Sequence, residues 1–166
     1  MSPRYDLPKA APEPLREVQQ FLNSVDLEHG TEWLEGWLEE RGLGEELGRA
    51  RSLREALRSL ALVNNGAALD PAALSVLNEA TERLSLLFAA DASLRVETAG
   101  DAIDHVLATA LGAMLDGSFG RLKACRNCRW SFYDYSPNRS ATWCSMQLCG
   151  NRKKTRAYRD RRKRKA

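Results

Sequence analysis

The sequence lacks any long apolar segment. No uninterrupted apolar run approaches the ~20 residues that a membrane-spanning helix needs. The N-terminus carries Pro3, Pro8 and Pro12 together with charged residues, where a secretory signal would need a smooth apolar stretch. These absences exclude a helical membrane span and a secretory signal, so we expect a cytoplasmic protein with no membrane partner.

The first 124 residues contain no cysteine, and the whole chain contains only two histidines. All four cysteines lie within 25 consecutive positions near the C-terminus, unlike a disulfide framework that staples a whole fold. His29 and His105 have no serine or cysteine at catalytic motif spacing, and no phosphate- or dinucleotide-binding glycine fingerprint is present. We therefore expect that the protein has no catalytic residues and is not an enzyme, and that it has one local metal site.

Charge is distributed very unevenly along the chain. The formal net charge is +3, yet residues 1–119 contain ten lysines and arginines against twenty acidic residues, a net of −10. Residues 120–166 contain fifteen against two, a net of +13. A compact cationic module is attracted to phosphate polymers, so this asymmetry predicts an acidic region joined to a basic, nucleic-acid-binding one.

The patterning of residues 14–119 predicts a mainly helical, acidic domain behind an extended lead, residues 1–13. Apolar residues repeat at three and four positions from Leu15 onward, which predicts a first helix that ends near His29 and Gly30. Thr31 would then cap a short second helix. These signals favour a helical core.

The rest of this domain carries three more helix signals and one hairpin signal. Long helices are expected over Glu45–Val63 and Asp101–Leu115, and an Asp-Pro pair opens another over Asp70–Glu79. Between Leu84 and Thr98, two short segments with alternating apolar residues predict a β-hairpin. The predicted fold class is mainly α with a small β-hairpin (α+β), and glycines mark the boundary with a second domain, residues 120–166.

Two clusters in the N-terminal domain could suggest a ligand pocket, but ordinary packing explains them better. Asp26 and Glu28 are expected to be surface carboxylates. Trp33 and Trp37, one turn apart on the second predicted helix, are expected to pack into the helical core.

Four cysteines form the most specific motif of the sequence. Cys125 and Cys128 are separated by two residues, Cys144 follows after fifteen, and Cys149 after four more. Zinc binds four thiolates in a tetrahedron, and two short clamps joined by a loop supply that geometry, so the spacing predicts one structural Zn²⁺. A closed four-thiolate site leaves no position for water activation. A free-thiol or redox pair, and iron in place of zinc, remain alternatives.

A basic segment follows Cys149. Arg152, Arg156, Arg159 and Lys163 recur at intervals of four, three and four, which places them on one stripe of a helix. A helix without an apolar face needs an anchor at one end and an anionic partner along its side, and duplex DNA is such a partner. A solvated tail is the alternative. The expected nucleic-acid contacts are Arg126, Arg129, Arg152, Lys153, Lys154, Arg156, Arg159, Arg162 and Lys163.

The tetrapeptide Cys149-Gly150-Asn151-Arg152, behind the three earlier cysteines, resembles the motif of the bacterial CGNR zinc-finger family. The segment Phe21–Glu28 is similar to the opening motif of the ABATE domain, which precedes the finger in that family and is described as a stress-induced transcription regulator. The resemblance covers nearly the whole chain and carries no catalytic residues across. It implies zinc binding, and DNA binding by a treble-clef- or ribbon-like zinc finger with a C-terminal basic helix.

The main functional hypothesis is a nucleoid-associated transcription regulator whose N-terminal domain senses a small-molecule effector or partner and whose finger binds duplex DNA. An RNA- or ribosome-associated module is an alternative, because the aromatic residues between Trp130 and Tyr135 could stack unpaired bases. A small-molecule-binding or enzymatic N-terminal domain with a purely structural finger is another. Zinc release on oxidation and a homodimer that reads paired half-sites also stay open.

Overall fold

The computed structural model describes residues 9–153 and 155. Within this range the elements include five α-helices before residue 120 and three antiparallel strand pairs, which confirms the α+β class. No helix in the described range is long and apolar enough to cross a membrane. In order, the elements are α1 (Leu15–Leu22), β1 (Val25–Asp26), β2 (Thr31–Glu32), α2 (Leu34–Glu39), α3 (Leu47–Val63), α4 (Pro71–Thr81), β3 (Ser85–Phe88), β4 (Leu94–Glu97), α5 (Ala102–Leu115), β5 (Leu122–Ala124) and β6 (Ser131–Tyr133).

The predicted later helices and the hairpin are confirmed, with small shifts at their ends. A 3-10 turn over Gly44–Glu46 leads into α3, and α4 continues to Thr81. Asp70 caps α4 by accepting a hydrogen bond from the backbone N–H of Ala72. The Asp101 carboxylate accepts hydrogen bonds from two backbone N–H groups at the start of α5. Side-chain capping therefore accounts for where α4 and α5 begin.

The first helix is shorter than the periodicity predicted. α1 ends at Leu22, and the chain then forms the hairpin β1–β2, in which Val25 pairs with Glu32. Gly30 has a φ of +65° in its turn, a conformation that glycine adopts without steric cost. The predicted helix end near His29 was therefore wrong, and Thr31 lies in a strand where it cannot cap α2.

The side chain of Asp26 explains why the helix stops. Its carboxylate accepts hydrogen bonds from the backbone N–H groups of Glu28 at 3.0 Å and His29 at 3.2 Å. It also contacts His29 Nδ1 at 2.8 Å. Such local side-chain bonds offer the backbone an alternative to the helix. Asp26 is buried, so its predicted surface position was wrong.

One aliphatic core joins the helices. α1 packs against α5 and α3, and α3 also packs against α2 and α4. Leu122, Ala124 and Tyr133 of the hairpin β5–β6 belong to this same core. The side chains that are completely shielded from solvent include Val18, Phe21, Leu22, Leu34, Leu38, Leu57, Ile103, Val106 and Leu107.

Three asparagine side chains attach the hairpin β5–β6 to the helices. Asn23, at the end of α1, donates to the Ser131 carbonyl at 2.9 Å and accepts from the Ser131 N–H at 2.7 Å. Asn64 donates to the carbonyls of Phe119 and Leu122, and Asn65 to those of Ala124 and Thr142. These bonds satisfy buried backbone groups that the hairpin leaves unpaired.

Lys9 and Ala10, in the segment predicted to be an extended lead, also bond to β6 and to the residues just after it. The Lys9 carbonyl accepts from the Tyr133 N–H at 2.9 Å, and the Ala10 carbonyl accepts from the Tyr135 hydroxyl at 2.7 Å. Ala11 is buried, and its N–H donates to the Gln19 side chain. The division into residues 1–13, 14–119 and 120–166 stays a prediction.

Candidate metal centre and cationic surface

The first two cysteines lie in the tight turn between β5 and β6. The Cys125 N–H donates to the Trp130 carbonyl, and the Arg129 N–H donates back to the Cys125 carbonyl, both at 2.9 Å. Arg129 has a φ of +64°, a left-handed conformation that glycine usually occupies. This turn presents both thiols to one centre from a short piece of chain.

The last cysteine lies in a helical turn, Met146–Gly150, that leads into helical residues 151–153. The Ser145 hydroxyl accepts from the Leu148 N–H, and its carbonyl accepts from the N–H groups of Cys149 and Gly150. A Cβ atom at Gly150 would come within 2.9 Å of the Met146 sulfur, so the Met146 side chain would have to move to admit a larger residue there. The predicted position of Cys149 beside the start of the last helix is confirmed.

The four cysteines form one compact, buried cluster. All four sulfur atoms lie within 4.8 Å of one another. The Sγ atoms of Cys128, Cys144 and Cys149 are separated by 3.6, 3.7 and 3.6 Å. A tetrahedral zinc ion with ~2.3 Å zinc–sulfur bonds requires sulfur–sulfur edges of ~3.8 Å. The residues therefore fit a closed four-thiolate zinc site.

Proton sharing within the cluster shows why it needs a cation. A hydrogen bond from the Cys128 thiol holds the pKa of Cys125 well below its usual range. The same bond to Cys125 raises the pKa of Cys128 to about 12, and contacts with both sulfurs raise the pKa of Cys144. Four thiolates this close repel each other unless a divalent cation neutralises them, and that is what zinc supplies when it is bound.

Asn127 supports the cluster, a role that was not predicted from the sequence. Its amide nitrogen lies 3.6 Å from Cys149 Sγ, at hydrogen-bonding distance for sulfur. Such donors orient metal-bound ligands and tune their basicity. Its position between the first two cysteines was the available signal. Trp130 and Phe132 are buried against the sulfurs, and Trp33 packs onto this cluster rather than into the predicted helical core.

A buried ion pair braces the same hairpin. Lys123 Nζ lies 2.7 Å from a carboxylate oxygen of Asp134, and both side chains are shielded from solvent. Burial raises the pKa of Asp134, but hydrogen bonds from Lys123 and Ser136 outweigh this and bring it to about 2. The second Asp134 oxygen accepts from the N–H and hydroxyl of Ser136, which shapes the loop toward Cys144. No pattern in the sequence indicated this pair.

Two predicted nucleic-acid contacts lie on the turn that carries Cys125 and Cys128. Arg126 is exposed, and its Nε donates to the Asn65 carbonyl at 2.7 Å, so its guanidinium is oriented by the end of α3. Arg129 is exposed as well. Its carbonyl accepts a hydrogen bond from the buried Arg58, which also donates to the Leu22 carbonyl. Hydrogen bonds to the helices therefore hold the side chain of Arg126 and the backbone of Arg129 in place.

Two more predicted contacts lie at the start of the last helix. Arg152 and Lys153 are exposed, and Arg152 forms an ion pair with Glu28 in the turn between β1 and β2. The structure therefore brings Arg126, Arg129, Arg152 and Lys153 onto the same small unit as the sulfur cluster. The remaining predicted contacts lie outside the described residues: Lys154, Arg156, Arg159, Arg162 and Lys163.

A hairpin, the loop after it and a helix start, which together hold four cysteines, define a treble-clef-like zinc finger, here carried by a helical region. Residues 121–162 match the CGNR zinc finger, and residues 16–117 match the ABATE model, described as "Putative stress-induced transcription regulator". Because the second match spans more than half of the chain, the protein belongs to the ABATE family, with a CGNR finger behind it. No curated protein matched the chain. The resemblance and the single structural zinc site are confirmed. Below, the finger is residues 121–162, and the helical region is residues 14–119.

Proposed function

We propose that this protein is a transcription regulator whose finger binds duplex DNA and whose helical region controls that binding in response to a signal. The protein would act in the cytoplasm, associated with the nucleoid. The observation that carries the proposal is that, among the described residues of the finger, Arg126, Arg129, Arg152 and Lys153 are exposed while most of the aromatic rings are buried. Phosphate oxygens are therefore the chemistry that its surface fits.

The aromatic residues favour DNA over unpaired RNA. Trp130, Phe132 and Tyr133 are buried, and only Tyr135 of this group is exposed, at 60%. Base stacking needs an accessible ring face, which the three buried rings do not offer. The exposed groups around them are guanidinium and ammonium groups, which contact the backbone of a duplex and, in the case of arginine, guanine edges.

The helical region reaches into this cationic surface. Glu28 pairs with Arg152, and Glu28 follows the buried Asp26 by two positions in the sequence. An acidic group that occupies one DNA-contacting arginine competes with phosphate for it. A signal that moves the turn between β1 and β2 would therefore change the affinity of the finger for DNA.

The test is fluorescence anisotropy of a labelled duplex titrated with the zinc-loaded full chain at increasing salt. Six phosphate contacts predict a slope of log affinity against log salt of about −5. Arg129→Gln should weaken binding and reduce that slope by about one, whereas Arg83→Gln, an exposed cation on the helical region, should change neither. A flat slope, or stronger competition by single-stranded RNA than by duplex DNA, would contradict the proposal.

A second candidate role is effector binding in a cleft between α1 and the finger. The cleft has a volume of about 320 Å³, and its lining contains two cations, Lys9 and Arg16, and no carboxylate. Trp130 and Phe132 supply apolar walls, and the buried Ser131 hydroxyl has no hydrogen-bond partner among the described residues. This chemistry fits a small aromatic carboxylate.

Benzoate is a suitable first probe for this cleft. Its binding is measured as a change in the thermal unfolding of the zinc-loaded protein. We expect saturable stabilisation by benzoate that Arg16→Gln abolishes and that Arg51→Gln, on the exposed face of α3, leaves intact. Benzyl alcohol, which has the same ring and no charge, should not stabilise. Equal effects of benzoate on the wild type and on Arg16→Gln would exclude this role.

A further inference from the structure

The hairpin β3–β4 exposes large apolar side chains. Phe88 is 78% exposed and Leu86 is 60% exposed, and Leu87 and Leu94 are also exposed. In the register of the hairpin, Leu86 faces Val96 and Phe88 faces Leu94, so these four residues share one face of the two-stranded sheet. Exposed apolar residues on an unpaired sheet edge mark an interaction surface.

Among the described residues, no strand pairs with the outer edge of β4. The Ala89 N–H donates to the Ser93 carbonyl, and because hydrogen-bonded pairs alternate along an antiparallel ladder, Leu94 and Val96 direct their backbone groups away from β3. A groove of about 1400 Å³ lies beside this edge, between β4 and α5. A Cβ atom at Gly112 on its α5 wall would meet nothing within 4 Å, so the groove is open at that position.

The charges of β4 indicate which strand fits there. β4 reads Leu94-Arg95-Val96-Glu97. If two copies of β4 run antiparallel with Val96 opposite Val96 of the partner subunit, Arg95 lies opposite Glu97 of the partner subunit, and the symmetric pair forms as well. Opposite charges at directly facing positions stabilise strand pairing. The strand is thus complementary to itself in the register that its free backbone groups allow.

We propose that the protein forms a homodimer through β4, with the two hairpins joined edge to edge in a four-stranded antiparallel sheet. The two-fold axis passes beside Val96, which makes the interface isologous. This interface involves no residue of the finger, so it does not depend on DNA binding. Two fingers related by a two-fold axis would read paired half-sites, which extends the proposed function.

The test is sedimentation of the zinc-loaded full chain over protein concentrations on the order of 1–100 µM. The wild type should dimerise. Arg95→Glu sets two carboxylates against each other at both pairs, and Glu97→Arg does the same with two guanidinium groups. Each single variant should weaken dimerisation about tenfold or more. Arg51→Glu, a charge reversal on α3, should leave dimerisation unchanged.

Two restorations separate this interface from a damaged hairpin. The double variant Arg95→Glu/Glu97→Arg should dimerise like the wild type, because both pairs are inverted together. An equimolar mixture of the two single variants should form heterodimers, because the carboxylates of one copy then face the guanidinium groups of the other. A monomeric wild type, single variants that dimerise like the wild type, or failure of both restorations would overturn the proposal. If the wild type is monomeric and still binds DNA, the β4 interface is contradicted and the proposed function is not.

Discussion

The helical region and the finger are held together by different forces. The helical region surrounds aliphatic side chains such as Leu57 and Leu107 that are completely shielded from solvent, so apolar burial stabilises it directly. The centre of the finger is four sulfur atoms, two aromatic rings and a buried ion pair. A module of this size cannot bury enough apolar surface to fold alone, so the metal and the adjacent helices must supply the difference.

The junction between the two regions shows how the helices contribute. Asn23, Asn65 and Arg58 each hydrogen-bond to backbone carbonyls of the finger. Leu122 and Tyr133 in turn complete the core of the helical region. The sharp change of net charge near residue 120 therefore coincides with a tightly packed junction, and these contacts fix the orientation of the finger on the helices.

The largest expected effect comes from removing one zinc ligand. Cys144→Ser leaves three thiolates, and we expect loss of zinc together with most of the ~10–16 kcal/mol that a structural zinc ion contributes to folding of such a module. The helical region should still unfold cooperatively. Zinc content by mass spectrometry and thermal unfolding by circular dichroism measure the two responses.

Ser140→Ala, on the exposed loop before Cys144, is the matched control and should keep one zinc ion per chain. A Cys144→Ser protein with full zinc content and unchanged unfolding would show that the two regions are stabilised in the same way.

The next largest effect should come from the buried ion pair. Asp134→Ala leaves the Lys123 ammonium buried without its carboxylate, which costs about 3–5 kcal/mol. Urea unfolding of the zinc-loaded protein measures this loss. The double variant Lys123→Met/Asp134→Ala should recover part of it, because no buried charge is left unpaired. If the double variant is less stable than Asp134→Ala, the pair is not what braces the hairpin.

A smaller effect is expected at the junction. Asn23→Ala leaves the Ser131 N–H without its acceptor, while the Gln19 amide still donates to the Ser131 carbonyl, and we expect a cost of about 2 kcal/mol. The exposed Asn78 on α4 provides the control, and Asn78→Ala should change stability by less than about 0.5 kcal/mol. Hydrogen exchange of the Ser131 amide should also accelerate in Asn23→Ala. An unchanged exchange rate would mean that the finger is held independently of α1.

The smallest effect is expected at Arg129, where one substitution should raise stability and weaken DNA binding. Arg129→Gly removes the cost of a left-handed conformation for a residue with a side chain, so the zinc-loaded protein should gain about 0.5–1 kcal/mol of stability. The same change removes an exposed cation, so duplex DNA binding should weaken. Unfolding and anisotropy on the same preparation test both directions, and a stabilised variant with wild-type DNA affinity would remove Arg129 from the proposed DNA contacts.

The sequence predicted those features that depend on neighbouring residues. The cysteine spacing indicated the zinc site, and the Asp70-Pro71 pair indicated the start of α4, because capping and metal clamps act within a few positions. Asn23 and Asn65 could not be assigned roles, since their partners lie 108 and 59 positions away. The early end of α1 was missed because the bonds of Asp26 compete with an otherwise regular apolar periodicity.

Hydrogen exchange of the full chain, with zinc bound and after chelation, distinguishes the forces that hold the two regions together. We expect chelation to remove protection from the amides of β5, β6 and the turn Met146–Gly150, while amides of α3 and α5 stay protected. Restoring zinc should restore protection. Equal loss of protection in α3 and in β6, or no loss in either, would contradict the claim that zinc organises the finger while apolar burial organises the helical region.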